Sequence, residues 1–187
     1  MNKTLLIIGA IVLVIGGYVW MTYNSLITAN EAISNQWAQV ETQYQRRVDL
    51  IPNLVESVKG VMTQEQKIFG DLADARTKYG SAAGADQKAE AATQVEGALS
   101  RLLVVMENYP QLKSSENVNT LMAQLEGTEN RISVERKRYN DVVNNFNVTI
   151  KRFPTNLIAN QLGYSAKNYF EAEAGSEKAP KIDLKVN

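Results

Sequence analysis

The chain has 187 residues, with 20 lysines and arginines balanced by 20 aspartates and glutamates, and neither histidine nor cysteine. A neutral balance carries no basic surplus for nucleic acid, so no nucleic-acid partner is expected. The missing residue types exclude histidine-based zinc and di-iron sites, histidine-activated nucleophiles, disulfides and thiolate chemistry.

Residues 1–3 are read as a short tail. Leu5 to Met21 carry no charge, and with Thr4, Thr22 and Tyr23 the segment 4–23 spans 20 residues, about 30 Å as helix and one bilayer core. Tyr18, Trp20 and Tyr23 gather at its far end, where amphipathic rings favour the membrane interface. The apolar run outlasts the roughly 7–15 residues of a signal peptide, and no small-residue cleavage site follows promptly. A retained single-pass anchor is expected, with the lipid bilayer as its partner. Lys3 and the α-amino group precede the span, and the next base is Arg46. The positive-inside rule then keeps the N-terminus in the cytoplasm and the body outside, a cytoplasmic body being the alternative.

Beyond the span, Leu26 and Ile33 lead into a stripe at Trp37, Val40, Tyr44, Val48, Ile51, Val55, Val58 and Met62. Its steps of three and four make one helix face, and no glycine or proline interrupts it before Pro52. The anchor is therefore expected to continue into the body as one helix. Gly60 and Thr63 mark a break, and Thr63-Gln64-Glu65-Gln66 has the form of a capping box. Gly80 is expected to end the helix that follows, with "GSAAGAD" as a loop. It lacks the glycine-lysine-serine/threonine ending of a phosphate loop.

Asp86 to about Asn108 predicts a further helix closed by Pro110. A second long helix follows from about Ser115 to Phe153, with its seam at Val118, Met122, Leu125, Glu129, Ile132, Arg136, Tyr139, Val143, Phe146 and Ile150. A short helix after Pro154 ends near Gly163, and residues 171–187 read as a polar tail. No strand is expected. Apolar stripes need partners, and short connections favour antiparallel neighbours. The fold class is all-α: a long antiparallel bundle of three to four main helices over residues 24–170, continuous with the transmembrane helix.

Two stretches concentrate unusual residues. In "QYQRRVDLIPNLVESVKG", Pro52 removes an amide donor inside the stripe, at a cost of roughly 3 kcal/mol in a helix interior. Because the stripe keeps phase, a bend is expected there, with Asp49 capping a restarted turn through the amide of Ile51. Arg46 and Arg47 either form a solvated pair or reach carbonyls or an acid on another helix, Glu129 being the candidate. Asn53 completes the cluster. In "ERKRYNDVVNNFNVTIKRFPTNLIANQLGY", Tyr139-Asn140 and Phe146-Asn147 repeat an aromatic–asparagine pair seven residues apart. Aromatic packing is expected, with the asparagines bonding locally or facing water; a ligand contact is the alternative. Arg136 stands among charges of both signs, which favours a solvated face. Pro154 and Asn156 open the short helix.

These two stretches, with "YFEAEAG" after them, resemble the signature blocks of the bacterial LemA family. The match takes in Arg46, Arg47, Asp49, Leu50, Ile51, Pro52, Asn53, Leu54 and Val55, then Tyr139, Asn140, Asn147, Phe153, Pro154, Asn156, Ala159, Gly163 and Phe170. The resemblance implies an antiparallel helical bundle on an inner-membrane anchor, with no reaction attached. It also implies an N-terminus outside, opposite to the orientation read from charge. The acids stand singly, so no catalytic residue, metal or cofactor is expected. The function expected is a scaffold that self-associates through its long helices. The alternative is an accessory subunit recognising an envelope protein or cell-wall ligand through the 80–86 loop or the tail.

Overall fold

A computed structural model describes residues 3–170, and every regular element among them is helical. The first helix, α1 (Lys3–Lys59), runs 57 residues without a break, about 86 Å at 1.5 Å per residue. Its N-terminal third holds an 18-residue window of mean hydropathy 2.3, none of it buried among the described residues. That is long and apolar enough to cross a membrane. Beyond it Leu26, Ile33, Val40, Tyr44, Val48, Ile51, Leu54 and Val58 are buried on one face. Leu54, rather than Val55, carries the stripe past Pro52, because the 3.6-residue period takes steps of three twice in a row there.

Pro52 lies exposed inside α1, and the helix passes through it. No turn restarts, so Asp49 does not cap one. In an unbroken helix the amide of Ile51 is already directed to the carbonyl four residues back. Asp49 Oδ1 instead accepts from Gln45 Nε2 at 2.7 Å.

Helix α2 (Gln66–Ser81) starts without the capping box expected at Thr63. The cap position falls at Glu65, two residues past Thr63, so Gln66 is the first helical residue and not the third. The Glu65 carboxylate accepts from the Tyr109 hydroxyl at 3.2 Å, and its amide donates to the Met62 carbonyl. The expected 80–86 loop contracts to Ala82 and Ala83. Gly80 stays within α2, and α3 (Gly84–Met106) begins at once. The Ala83 amide donates to Gln87 Oε1 at 3.1 Å, and Gly84 takes φ +79°, the left-handed conformation that glycine adopts without steric cost.

A 3₁₀ turn, Pro110–Ser114, leads into α4 (Glu116–Lys151). Ser115 caps α4 by accepting from the Val118 amide at 3.5 Å. Because that bond is long, Ser115→Ala is expected to lower stability by about 0.5–1 kcal/mol, at the weaker end of N-cap losses, measurable by denaturant titration. Helix α5 (Thr155–Gln161) closes with Gly163 at φ +77° and the Tyr164 amide bonded to the Ala159 carbonyl, a six-to-one C-terminal motif.

Cross-helix pairs fix the directions. Glu41 with Lys88 and Arg47 with Glu96 run α3 parallel to α1. Arg47 with Glu129, Tyr44 with Arg136 and Trp37 with Tyr139 run α4 antiparallel to it. The chain thus goes up, down, up and down, as an antiparallel bundle standing on the apolar end of α1. An upper core joins α1 to α2, α3 and α4 from Val40 to Met62. A lower core of Leu26, Ile33, Val143, Phe146, Ile150 and Ala159 belongs to α1, α4 and α5 alone. The α2–α3 hairpin therefore stops short of the apolar end.

Candidate functional site

The two neighbouring arginines part company. Arg47 shares the inward face of α1 with Tyr44 and Val48 and is only 8% exposed. It pairs with Glu129 on α4 and lies 3.8 Å from Glu96 on α3. Glu96 also receives Arg136 Nη2 at 3.4 Å, and Arg136 Nε donates to the Tyr44 hydroxyl at 2.9 Å. The Arg136 guanidinium sits 5.4 Å from the Tyr44 ring centroid. Arg136 is thus half-buried and turned inward, contrary to the solvated face expected from its charged neighbours; the seam position won over local composition.

Two cations and two anions so join three helices, each carboxylate facing a guanidinium. That arrangement fixes helix register, since charges out of water are tolerated only when paired. Among the described residues no cluster of three acids could hold a metal.

Arg46 stays exposed. With Asp49, Leu50, Ala123, Gly127 and Arg131 it lines an open groove of about 670 Å³ between α1 and α4, to which neither α2 nor α3 contributes. Pro52 and Asn53 are exposed, and the Asn53 carbonyl accepts from Ser57 Oγ.

On the anchor side of the ion cluster, Tyr79 meets Tyr44 edge-on at 6.3 Å, Lys88 Nζ lies 4.7 Å over the Tyr79 ring, and the Tyr79 hydroxyl is buried with no hydrogen-bond partner among the described residues. Burial raises both phenols above their ordinary value of 10.0, at Tyr44 against the opposing pull of Arg136. A raised folded-state value gives stability that is whole below pH 10 and lost as pH climbs toward that value. Stability is therefore expected to fall above pH 10. Phenolate absorbance should show Tyr44 and Tyr79 ionising later than the exposed tyrosines, and Tyr44→Phe should remove one late transition.

The asparagine pair forms a second site. Asn147 Nδ2 donates to the Lys167 carbonyl at 2.9 Å, and the Lys167 amide donates to Asn147 Oδ1 at 2.8 Å. Asn140 does the same with Phe170, at 2.9 and 2.8 Å. Each side-chain amide thus pairs with backbone as a neighbouring strand would. The spacing explains the fit. Seven helical residues rise about 10.5 Å, and three extended residues cover about 10 Å.

The segment 164–170 therefore lies antiparallel to α4 as a strap. It occupies the groove below the start of α3, where Phe170 stacks on Trp37 at 5.8 Å and meets Tyr139 at 5.1 Å. The asparagines bond the strap backbone and not their own neighbours, contrary to expectation, because a strap of matching pitch is available.

The strap and Glu96 went unassigned in the sequence. The seven-residue repeat of asparagine was the signal for the first. For the second it was a glutamate beside the α3 seam of Ala92, Val95 and Leu99. At the foot of the bundle Pro154 precedes α5, and Asn156 donates its amide to the Arg152 carbonyl. Tyr18 hydrogen-bonds Thr155 at 3.2 Å, while Trp20 and Tyr23 are exposed on α1. The expected tail, 171–187, lies outside the described residues.

Comparison with known proteins points the same way as the two signature stretches. A family model described as the LemA family matches residues 36–184. The chain is similar to Magnetosome protein MamQ 2 and Magnetosome protein MamQ 1 of Paramagnetospirillum magneticum, each 26% identical over 183 residues, covering 84% of this chain and 67% of theirs. It is also similar to Protein LemA of Metamycoplasma hominis, 23% identical over 150 residues, covering 80% and 68% of the two chains.

Proposed function

Since the chain belongs to the LemA family, we propose that it is a non-catalytic, membrane-anchored scaffold whose copies associate through the open groove between α1 and α4. The groove is the observation that carries this reading. It exposes Arg46, Asp49 and Arg131, charges of both signs that a second copy can meet in register, around the small residues Ala123 and Gly127. The unbroken α1 supports it further, because an assembly built on this helix would be rigidly coupled to the membrane. The resemblance supports an anchor in a bacterial inner membrane, and Lys3 ahead of the span favours an extracytoplasmic body.

A substitution at Gly127 tests the groove. A Cβ added there meets nothing within 4 Å, so a side chain can start there, and Gly127→Trp is expected to project into the groove. The assembled fraction is expected to fall at least tenfold at unchanged melting temperature. Unchanged assembly in a well-folded variant would remove the groove from the account.

A second reading, an accessory subunit recognising an envelope protein or cell-wall ligand, rested on the 80–86 loop and the tail. The loop reduces to Ala82 and Ala83, which leaves that reading the tail and the strap groove.

A further inference from the structure

The α1 helix beyond the anchor, residues 24–59, and α4, residues 116–151, are both 36 residues long. Antiparallel packing of equal lengths returns the end of α4 to the level where the anchor ends. The hydrogen bond between Tyr18 and Thr155 places the start of α5 more exactly. Tyr18 lies five residues before Tyr23, about 7.5 Å further into the span. Thr155 therefore sits at the depth of the aromatic belt, where the bilayer meets its headgroups.

The side chains around Thr155 suit that position. Ala159 and Ile158 face the lower core, while Phe153 is 80% exposed, Leu157 61% and Leu162 41%. The other three phenylalanines, Phe69, Phe146 and Phe170, are packed, so Phe153 stands out as apolar surface that no described residue covers. Between Asp141 and Glu171 the sequence holds Lys151, Arg152 and Lys167 and no acid, and α1 carries no charge from Thr4 to Asn30. The foot of the bundle is thus basic and apolar, with no carboxylate between residues 142 and 170 to repel a phosphate. Apolar side chains directed outward beside bases are the pattern of a segment lying in a membrane interface.

We propose that the 151–162 segment is a second membrane contact. Phe153, Leu157 and Leu162 enter the acyl boundary of the bilayer that α1 crosses, while Lys151 and Arg152 meet lipid phosphates. The inference rests on α1 being the anchor. It makes the bundle a two-footed body, held upright by α1 and by the α4–α5 corner.

The chain has no cysteine, so a single introduced thiol can be spin-labelled uniquely in the full-length protein. Phe153→Cys and Leu157→Cys would be labelled in vesicles of phosphatidylcholine and phosphatidylglycerol. Leu13→Cys in the span and Val104→Cys on the exposed face of α3 serve as references. Collision with oxygen reports lipid, and collision with a water-soluble nickel chelate reports solvent. Labels at 153 and 157 are expected to show high oxygen and low nickel accessibility, as at 13. Nickel accessibility equal to that at 104 would overturn the proposal. So would low accessibility to both reagents, which would mean that a second copy covers the segment. If the label at 13 itself reads as aqueous, the anchor reading fails first and this one falls with it.

Discussion

Replacing Arg47 with alanine is expected to destabilise the bundle by about 2–3 kcal/mol, while Arg46→Ala shifts it by less than about 0.5 kcal/mol. Arg47 is the cation between Glu96 and Glu129, and its loss leaves the two carboxylates without that counter-charge. Breaking a fully buried pair costs about 3–5 kcal/mol; the smaller figure reflects the Glu129 side chain, which keeps 39% of its surface in solvent. Arg46, one residue away, is exposed and makes no ion pair among the described residues. Denaturant titration of the solubilised protein measures both. The double variant Arg47→Met with Glu129→Leu should recover much of the loss, because the penalty lies in the unpaired charge more than in the missing attraction. Equal losses at positions 46 and 47 would show that the cluster is not what couples the helices.

The second large effect is expected at the strap. Asn140 and Asn147 make four backbone hydrogen bonds between them, each worth about 1 kcal/mol net. Asn140→Ala with Asn147→Ala should therefore cost about 3–4 kcal/mol. The protected amides of Lys167 and Phe170 should then exchange orders of magnitude faster, and the Trp37 ring should lose its stacked partner and change its fluorescence. Asn→Asp at either position is a sharper probe. A carboxylate has the same shape but cannot donate, and it faces the carbonyl of Lys167 or Phe170. Exchange at these amides that does not respond to the double substitution would mean that aromatic packing alone holds the strap.

The long elements could be read from the sequence because their periods were strong. The α1 stripe and the α4 seam each persist over many turns, so burial repeats often enough to override Pro52 and the charges of Glu129 and Arg136. The short-range signals failed where a tertiary partner outbid a local one. Thr63 and Gln66 had the spacing of a capping box, yet α2 starts two residues later than that box requires, with Glu65 at the cap position and its carboxylate turned to Tyr109. The glycines at 80 and 84 suggested a loop, but only Gly84 required a left-handed φ.

The separate fates of Arg46 and Arg47 depend on which residue the helical phase turns toward α3 and α4, about 100° apart on the wheel. That was computable from the stripe, whereas the identity of Glu96 as a partner needed the position of α3. The strap was hidden for a different reason. Residues 164–170 have no periodicity of their own, and their extended form comes from the spacing of two asparagines on another element.

The scaffold account is tested most directly by the mass of the full-length protein extracted in mild detergent, by light scattering with the detergent contribution subtracted. The account predicts a discrete multiple of the 20.8 kDa chain, reduced by Gly127→Trp. A monodisperse particle of one chain across the concentration range, with the fold intact, would contradict it.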